Sequence, residues 1–160
     1  MVSGGGTNLQ AIINAVDSGK IKNGRITAVI SNKPGVFALE RAKKADIPAV
    51  VIDKKNCRDK AEFNKLLLDE LKKAKAELIV LAGFLVILDK EIIDKYRDKI
   101  INVHPSLIPA FCGDGFYGLK VHEKVLEAGV KITGATVHYV NEIPDGGKII
   151  MQKAVEVHEG

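Results

Sequence analysis

Tryptophan is absent from this 160-residue chain, cysteine occurs twice, and aromatic residues make up only 5% of it. Cys57 and Cys112 form neither a CxxC pair nor a zinc-ligand spacing. That excludes a disulfide-stapled scaffold and leaves the reduced thiols of a cytoplasmic protein as the expectation. No apolar run approaches the roughly 20 residues of a membrane span, and no signal-peptide pattern opens the chain. HExxH and comparable ligand spacings are missing, so no metal site is expected. The few aromatics are not interleaved with basic residues, which argues against a nucleic-acid surface. Repeats, low-complexity stretches and linkers are also lacking. Charge is nearly balanced, 24 Lys and Arg against 20 Asp and Glu. The lysines gather in "DKKNCRDK" and "LKKAKAE", which read as solvated helix faces, although a net +4 also suits an anionic small ligand.

What is present is one domain's worth of chain, 46% hydrophobic, with alternating helical and strand-like segments. "TNLQAIINAVDSG" spaces Leu9, Ile12, Ile13 and Val16 for a helix that stops at Gly19. "RITAVIS" reads as a strand, "VFALERAKKA" as a helix and "PAVVI" as a second strand. A helix over about 59–74 turns Phe63, Leu66, Leu67 and Leu71 to one side. "ELIVLAGF" is a third strand, apolar throughout as when helices cover both faces. "LDKEIIDKYRDK", "IINV" and "LKVHEKVLEAG" follow as helix, strand and helix. "TGATVHYV", "GKIIMQ" and "AVEVH" are then three strands with no helix between them. The fold expected is α/β: a Rossmann-like, mostly parallel sheet flanked by helices, with an antiparallel C-terminal strand extension. Residues 1–160 are read as a single domain. A first strand is missing from this reading, because only Met1 and Val2 precede Ser3, and no closing helix follows "VHEG".

Two stretches carry chemistry. In "SGGGTNLQ" glycines run into a helix whose first amides lack intrahelical partners, so a phosphate could sit on Gly6, Thr7 and Asn8. The plainer alternative is a tight turn at Gly4–Gly6 with Thr7 or Asn8 capping the helix. Leu9 stands where a dinucleotide fingerprint needs its third glycine, and no Gly-Lys-Ser/Thr follows, so a phosphomonoester fits better than a dinucleotide or nucleoside triphosphate. In "KIINVHPSLIPAF" Asn102 and His104 leave one face of a strand that Pro105 ends. Asp145, on the tight loop "NEIPDGG", is the carboxylate that could orient this imidazole and raise its pKa; alone it is equally a turn aspartate. With Asn102 as an oxyanion donor the trio suits acyl-group transfer. Ser106 lacks a nucleophile-elbow pattern and reads as a turn residue. His122 reads as a helix residue at the surface or capping a contact, His138 as a satisfied sheet residue, and His158 lies near the terminus.

"SGGGTNLQAII", "SNKPG", "VLAGF", "INVHPSLIPAF", "GATVHYV" and "DGGKII", in that order, resemble the phosphoribosylglycinamide formyltransferases, folate-dependent enzymes of purine synthesis. The resemblance covers essentially the whole chain. "NVHPSLIP" is shared with a wider group, including methionyl-tRNA formyltransferase and formyltetrahydrofolate deformylase, whereas the glycine loop singles out this member. It implies attack of the glycinamide ribonucleotide amine on the formyl carbon of 10-formyltetrahydrofolate, with no metal. In that scheme Asn102 stabilises the oxyanion, His104 donates a proton, and Asp145 raises the pKa of that histidine. Gly6, Thr7 and Asn8 match the substrate-phosphate loop, and Arg58 matches an arginine that contacts the folate. Leu85, Val86, Ile87 and Leu88 match one wall of the pterin pocket, and Asn141, Glu142, Ile143, Pro144 and Asp145 the other.

The resemblance also implies a cytoplasmic enzyme, monomer or homodimer, with small-molecule partners only and neither nucleic acid nor membrane. Relative to the family both ends read as cut, so the free chain is expected to turn over poorly. Val86 stands where arginine is frequent, and Lys148 where proline is common. The alternatives are another formyltetrahydrofolate enzyme, or an inactive phosphate-binding fragment.

Overall fold

Leu9 and Ile13 lie one turn apart on α1 (Thr7–Asp17), and they are its two buried residues. This helix belongs to the first of two compact units, Met1–Val86 and Ile87–Gly160, of a computed structural model that describes residues 1–158. In the first unit β1 (Val29–Ser31) runs parallel to β2 (Ala49–Val51), with α2 (Phe37–Lys44) between them in sequence. Then come a single 3-10 turn at Lys54–Asn56, α3 (Lys60–Lys73) and β3 (Ile79–Leu81). The start of α3 is set by Asp59, whose carboxylate accepts from the Glu62 amide at 2.8 Å, while Glu62 reaches back to the Arg58 amide. Phe63, Leu67 and Leu71 form the buried stripe of α3, as their spacing predicts. Leu66, read with them, is exposed instead.

Short as it is, the Met1–Val2 segment behaves as a strand. The Val2 amide donates to Ile30 O, and Val2 bridges Ser31 in parallel. On the other side Met1 N donates to Val80 O, and the Ala82 amide donates to Met1 O, the slanted pattern of a parallel pair. Val2 packs with Leu9, Ile13, Val29, Ala38, Ala42 and Ala82 in the core of this unit. "RITAVIS" is laddered over Val29–Ser31 alone. Alongside Ile26 and Ala28 lies a cavity of about 790 Å³, also lined by Val16, Leu78 and Ile79.

The second unit contains α4 (Lys90–Lys95), β4 (Ile100–His104), α5 (Leu119–Glu127), β5 (Ile132–Tyr139) and β6 (Ile149–Glu156). β5 is antiparallel to both β4 and β6, with an irregularity in the β5–β6 ladder between Val137 and His138. The antiparallel region expected from the sequence is therefore present, and it already includes β4. "GKIIMQ" and "AVEVH" are one strand rather than two, because the ladder with β5 runs unbroken past Lys153 and Ala154. Gly147 allows the turn into β6: a Cβ there would stand 1.7 Å from Tyr139 O. Among the described residues no helix is long and apolar enough to cross a membrane.

Candidate active site

The second unit gathers four polar side chains. On β4, Asn102 and His104 share a face, two residues apart; across the ladder Asn102 stands opposite His138 and His104 opposite Thr136. Asp145 comes from the β5–β6 loop, where its backbone takes the left-handed conformation at φ 53°. Asn141 Oδ1 accepts from the Ile143 amide, and the Gly146 amide donates to Ile143 O, so the loop is stitched to itself. The result is a carboxylate between two imidazoles. Oδ2 lies 3.5 Å from His104 Nδ1, and Oδ1 lies 3.5 Å from His138 Nε2. Asn102 Nδ2 is 3.2 Å from that same His138 Nε2. His104 and His138 are buried, at 4% and 2% exposure.

Each ring has its second nitrogen engaged. His104 Nε2 donates to Phe111 O at 2.9 Å, and His138 Nδ1 donates to Tyr139 O at 2.8 Å. Thr136 steadies the segment after His104: its hydroxyl donates to Ser106 O and accepts from the Ile108 amide. Ser106 is fully buried and donates to Ala110 O, the part of a turn residue rather than a nucleophile.

Burial works against the charge on Asp145. The contact with His138, the Gly113 amide at 2.9 Å and the His104 charge outweigh it, holding the carboxyl below its ordinary value. Burial likewise opposes charging of His138, yet the contact with Asp145, the Tyr139 carbonyl and the carboxylate charge prevail and raise its pKa. An anion ringed by donors, with an amide beside it, can stabilise developing charge and position an imidazole for proton movement.

The first unit holds the glycine loop. Gly6 is the N-cap of α1 in the left-handed conformation, φ 73°, and no side chain caps this helix. The capping alternative for Thr7 and Asn8 is thus not what is found, and both residues are exposed. Gly6 is required twice over, since a Cβ there would also lie 2.7 Å from Ala38 Cβ on α2. The Ala38 amide donates to Gly4 O, and Arg41 donates to Gly5 O at 2.8 Å, so α2 fixes the loop. The Leu85 amide donates to Ser3 Oγ at 2.9 Å, while the Leu85 side chain stays exposed. Arg58 is 84% exposed and pairs with Glu62 at 3.3 Å.

In the second unit Ile87 and Ile143 are exposed apolar side chains, Leu88 is buried, and Pro144 is exposed. Glu142 pairs with Lys90 and Arg97. Among the described residues no group of three or more His, Cys, Asp or Glu could hold a metal ion. His122 is exposed on α5 and His158 is exposed beyond β6. The member of this cluster missed from sequence is His138. It does sit in a sheet, but in contact with Asn102 and Asp145. Only the β4–β5 register, which places it across from Asn102, could have revealed this.

A family model described as formyl transferase matches residues 1–160. The phosphoribosylglycinamide formyltransferase of Haemophilus influenzae is 42% identical over 157 residues, 98% of this chain and 71% of that protein. The trifunctional purine biosynthetic protein adenosine-3 of Gallus gallus is 44% identical over 160 residues, but this chain spans only 15% of its length. Among solved structures, glycinamide ribonucleotide transformylase 1 from Symbiobacterium toebii superposes with a TM-score of 0.91 at 38% identity, covering 99% of this chain and 72% of that one.

Proposed function

This chain belongs to the formyl transferase family, and on that premise we propose that it transfers a formyl group from 10-formyltetrahydrofolate to the amine of 5-phosphoribosylglycinamide. The observation that carries the proposal is the contact of Asp145 with His104, with Asn102 two residues away on the same strand face. The amine lone pair attacks the formyl carbon, and the carbonyl oxygen takes up negative charge, which an Asn102 N–H stabilises. One proton leaves the attacking nitrogen and one reaches N10 of the folate as the carbon–N10 bond breaks. His104 carries this proton traffic, held through Nδ1 by Asp145. Its Nε2 is engaged with Phe111 O, so delivery from that nitrogen requires the Phe111 carbonyl to give way. The products are formylglycinamide ribonucleotide and tetrahydrofolate.

Exposed Thr7 and Asn8, with Gly6 at the uncapped start of α1, are assigned to the ribonucleotide phosphate. Arg58, Leu85, Val86, Ile87, Leu88 and the 141–145 loop are assigned to the folate. A cytoplasmic location, a monomer or homodimer, and a single formyltransferase domain go with this reading.

The test is folate turnover with and without the ribonucleotide. Tetrahydrofolate release that requires 5-phosphoribosylglycinamide is the expected result, and His104→Ala should slow it roughly 10²–10⁴-fold. Formate released without the amine would mean a deformylase. Phosphate-ester binding with no turnover would mean a binding fragment.

A further inference from the structure

His138 is the buried titratable group that the proposed reaction leaves without a task. Its Nδ1 faces Tyr139 O at 2.8 Å, a group that only accepts, so Nδ1 carries a hydrogen whether the ring is neutral or charged. Nε2 is the ring's one variable, and it faces Asn102 Nδ2 at 3.2 Å and Asp145 Oδ1 at 3.5 Å. These neighbours make opposite demands. A neutral ring presents a lone pair at Nε2, which accepts from the Asn102 amide and turns a negative region towards the carboxylate. A protonated ring donates to Asp145, and then an Asn102 N–H would meet an N–H. The conflict ends if the Asn102 amide rotates by half a turn, exchanging its oxygen for its nitrogen at a position where the two ends occupy nearly the same space.

We propose that His138 is a positioning residue whose proton at Nε2 sets which end of the Asn102 amide faces the reacting carbonyl. With Nε2 protonated, Asn102 Oδ1 turns to His138, and both amide hydrogens are free for the oxyanion. With Nε2 bare, Nδ2 is drawn to the ring and the amide oxygen is left on the side where negative charge develops, an electrostatic penalty in the transition state. The inference rests on the oxyanion role given to Asn102 above.

The groups facing His138 are few among the described residues. β4 contributes Asn102, β6 contributes Ile149 in register, and the loop contributes Asp145, with His104 and Cys112 beyond that carboxylate. Asp145 is therefore the one charged group in direct contact, and it favours the protonated, competent arrangement.

The experiment pairs a resting-state readout with kinetics on the same variants. Titration of the unliganded protein by ¹⁵N and ¹³C NMR should show the Asn102 carboxamide resonances shifting with the midpoint of His138. The shift should persist in His104→Ala and vanish in His138→Gln and His138→Asn. In turnover, His138→Gln should lower kcat roughly 10-fold, less than the 10²–10³-fold typical of deleting an oxyanion donor. KM should hold, and the decline in kcat above the His138 midpoint should disappear. Asn102 resonances that stay still while His138 titrates would overturn the inference, as would a His138→Gln enzyme with the wild-type pH profile. A coupled titration in a protein with no ribonucleotide-dependent turnover would retain the coupling and sink the proposed reaction instead. If His138→Gln does not fold, the wild-type and His104→Ala titrations alone decide.

Discussion

The glycine loop and the polar cluster are built on opposite principles. In the loop everything is backbone and steric fit: Gly6 takes a left-handed φ, Ala38 leaves no room for a Cβ, and α1 starts without a side-chain cap. No residue from Gly4 to Asn8 titrates. In the cluster everything is side chain and charge: two buried imidazoles share one carboxylate beside an amide, on a frame set by the β4–β5 ladder. A loop of the first kind can hold an anion at any moderate pH. A cluster of the second kind can move protons and responds to pH.

The sharpest way to break this contrast is Asp145→Asn. It removes the charge while keeping the size, and kcat should fall roughly 10²–10³-fold with little change in KM for the ribonucleotide. Equal losses in both parameters would mean that Asp145 serves binding instead. Gly6→Ala should act the other way round. It strains φ and collides with Ala38, so KM for the ribonucleotide should rise about 10-fold, with a stability loss of about 1–3 kcal/mol by urea unfolding. The folate KM should be unmoved.

The third expectation concerns pH and stability. Asp145 is depressed, so its contribution is present above the unfolded carboxyl value of about 3.9 and is lost as pH falls through the lower folded value. His138 is raised, so its contribution is present below about 6.5 and is lost as pH rises through the higher folded value. Urea unfolding across pH 5–9 should show that alkaline loss in the wild type and not in His138→Gln. Smallest of all, Arg58→Ala should raise the folate KM a few-fold without changing stability, because its surface pair with Glu62 contributes little.

The sequence made legible whatever is local. The Phe63, Leu67 and Leu71 stripe marks α3 to within a residue, because periodicity acts over one or two turns. Gly6 and the Asn102–His104 pair were visible for the same reason. Pairing partners were not. β6 read as two strands because Gln152 and Lys153 interrupt its apolar run, whereas the backbone ladder with β5 ignores side-chain polarity. His138 passed as an ordinary sheet residue because a register across 36 positions decides that it meets Asn102. The uncapped α1 was likewise hidden, since Thr7 and Asn8 have capping chemistry but lie inside the helix, after Gly6.

The most direct measurement is a crystal structure with 5-phosphoribosylglycinamide and a non-transferable analogue of 10-formyltetrahydrofolate. The formyl oxygen is expected about 3 Å from Asn102 Nδ2, hydrogen-bond distance, with the amine beside it and Asp145 still against His104. A formyl group bound away from Asn102 and His104 would contradict the assignment of this cluster to the chemistry.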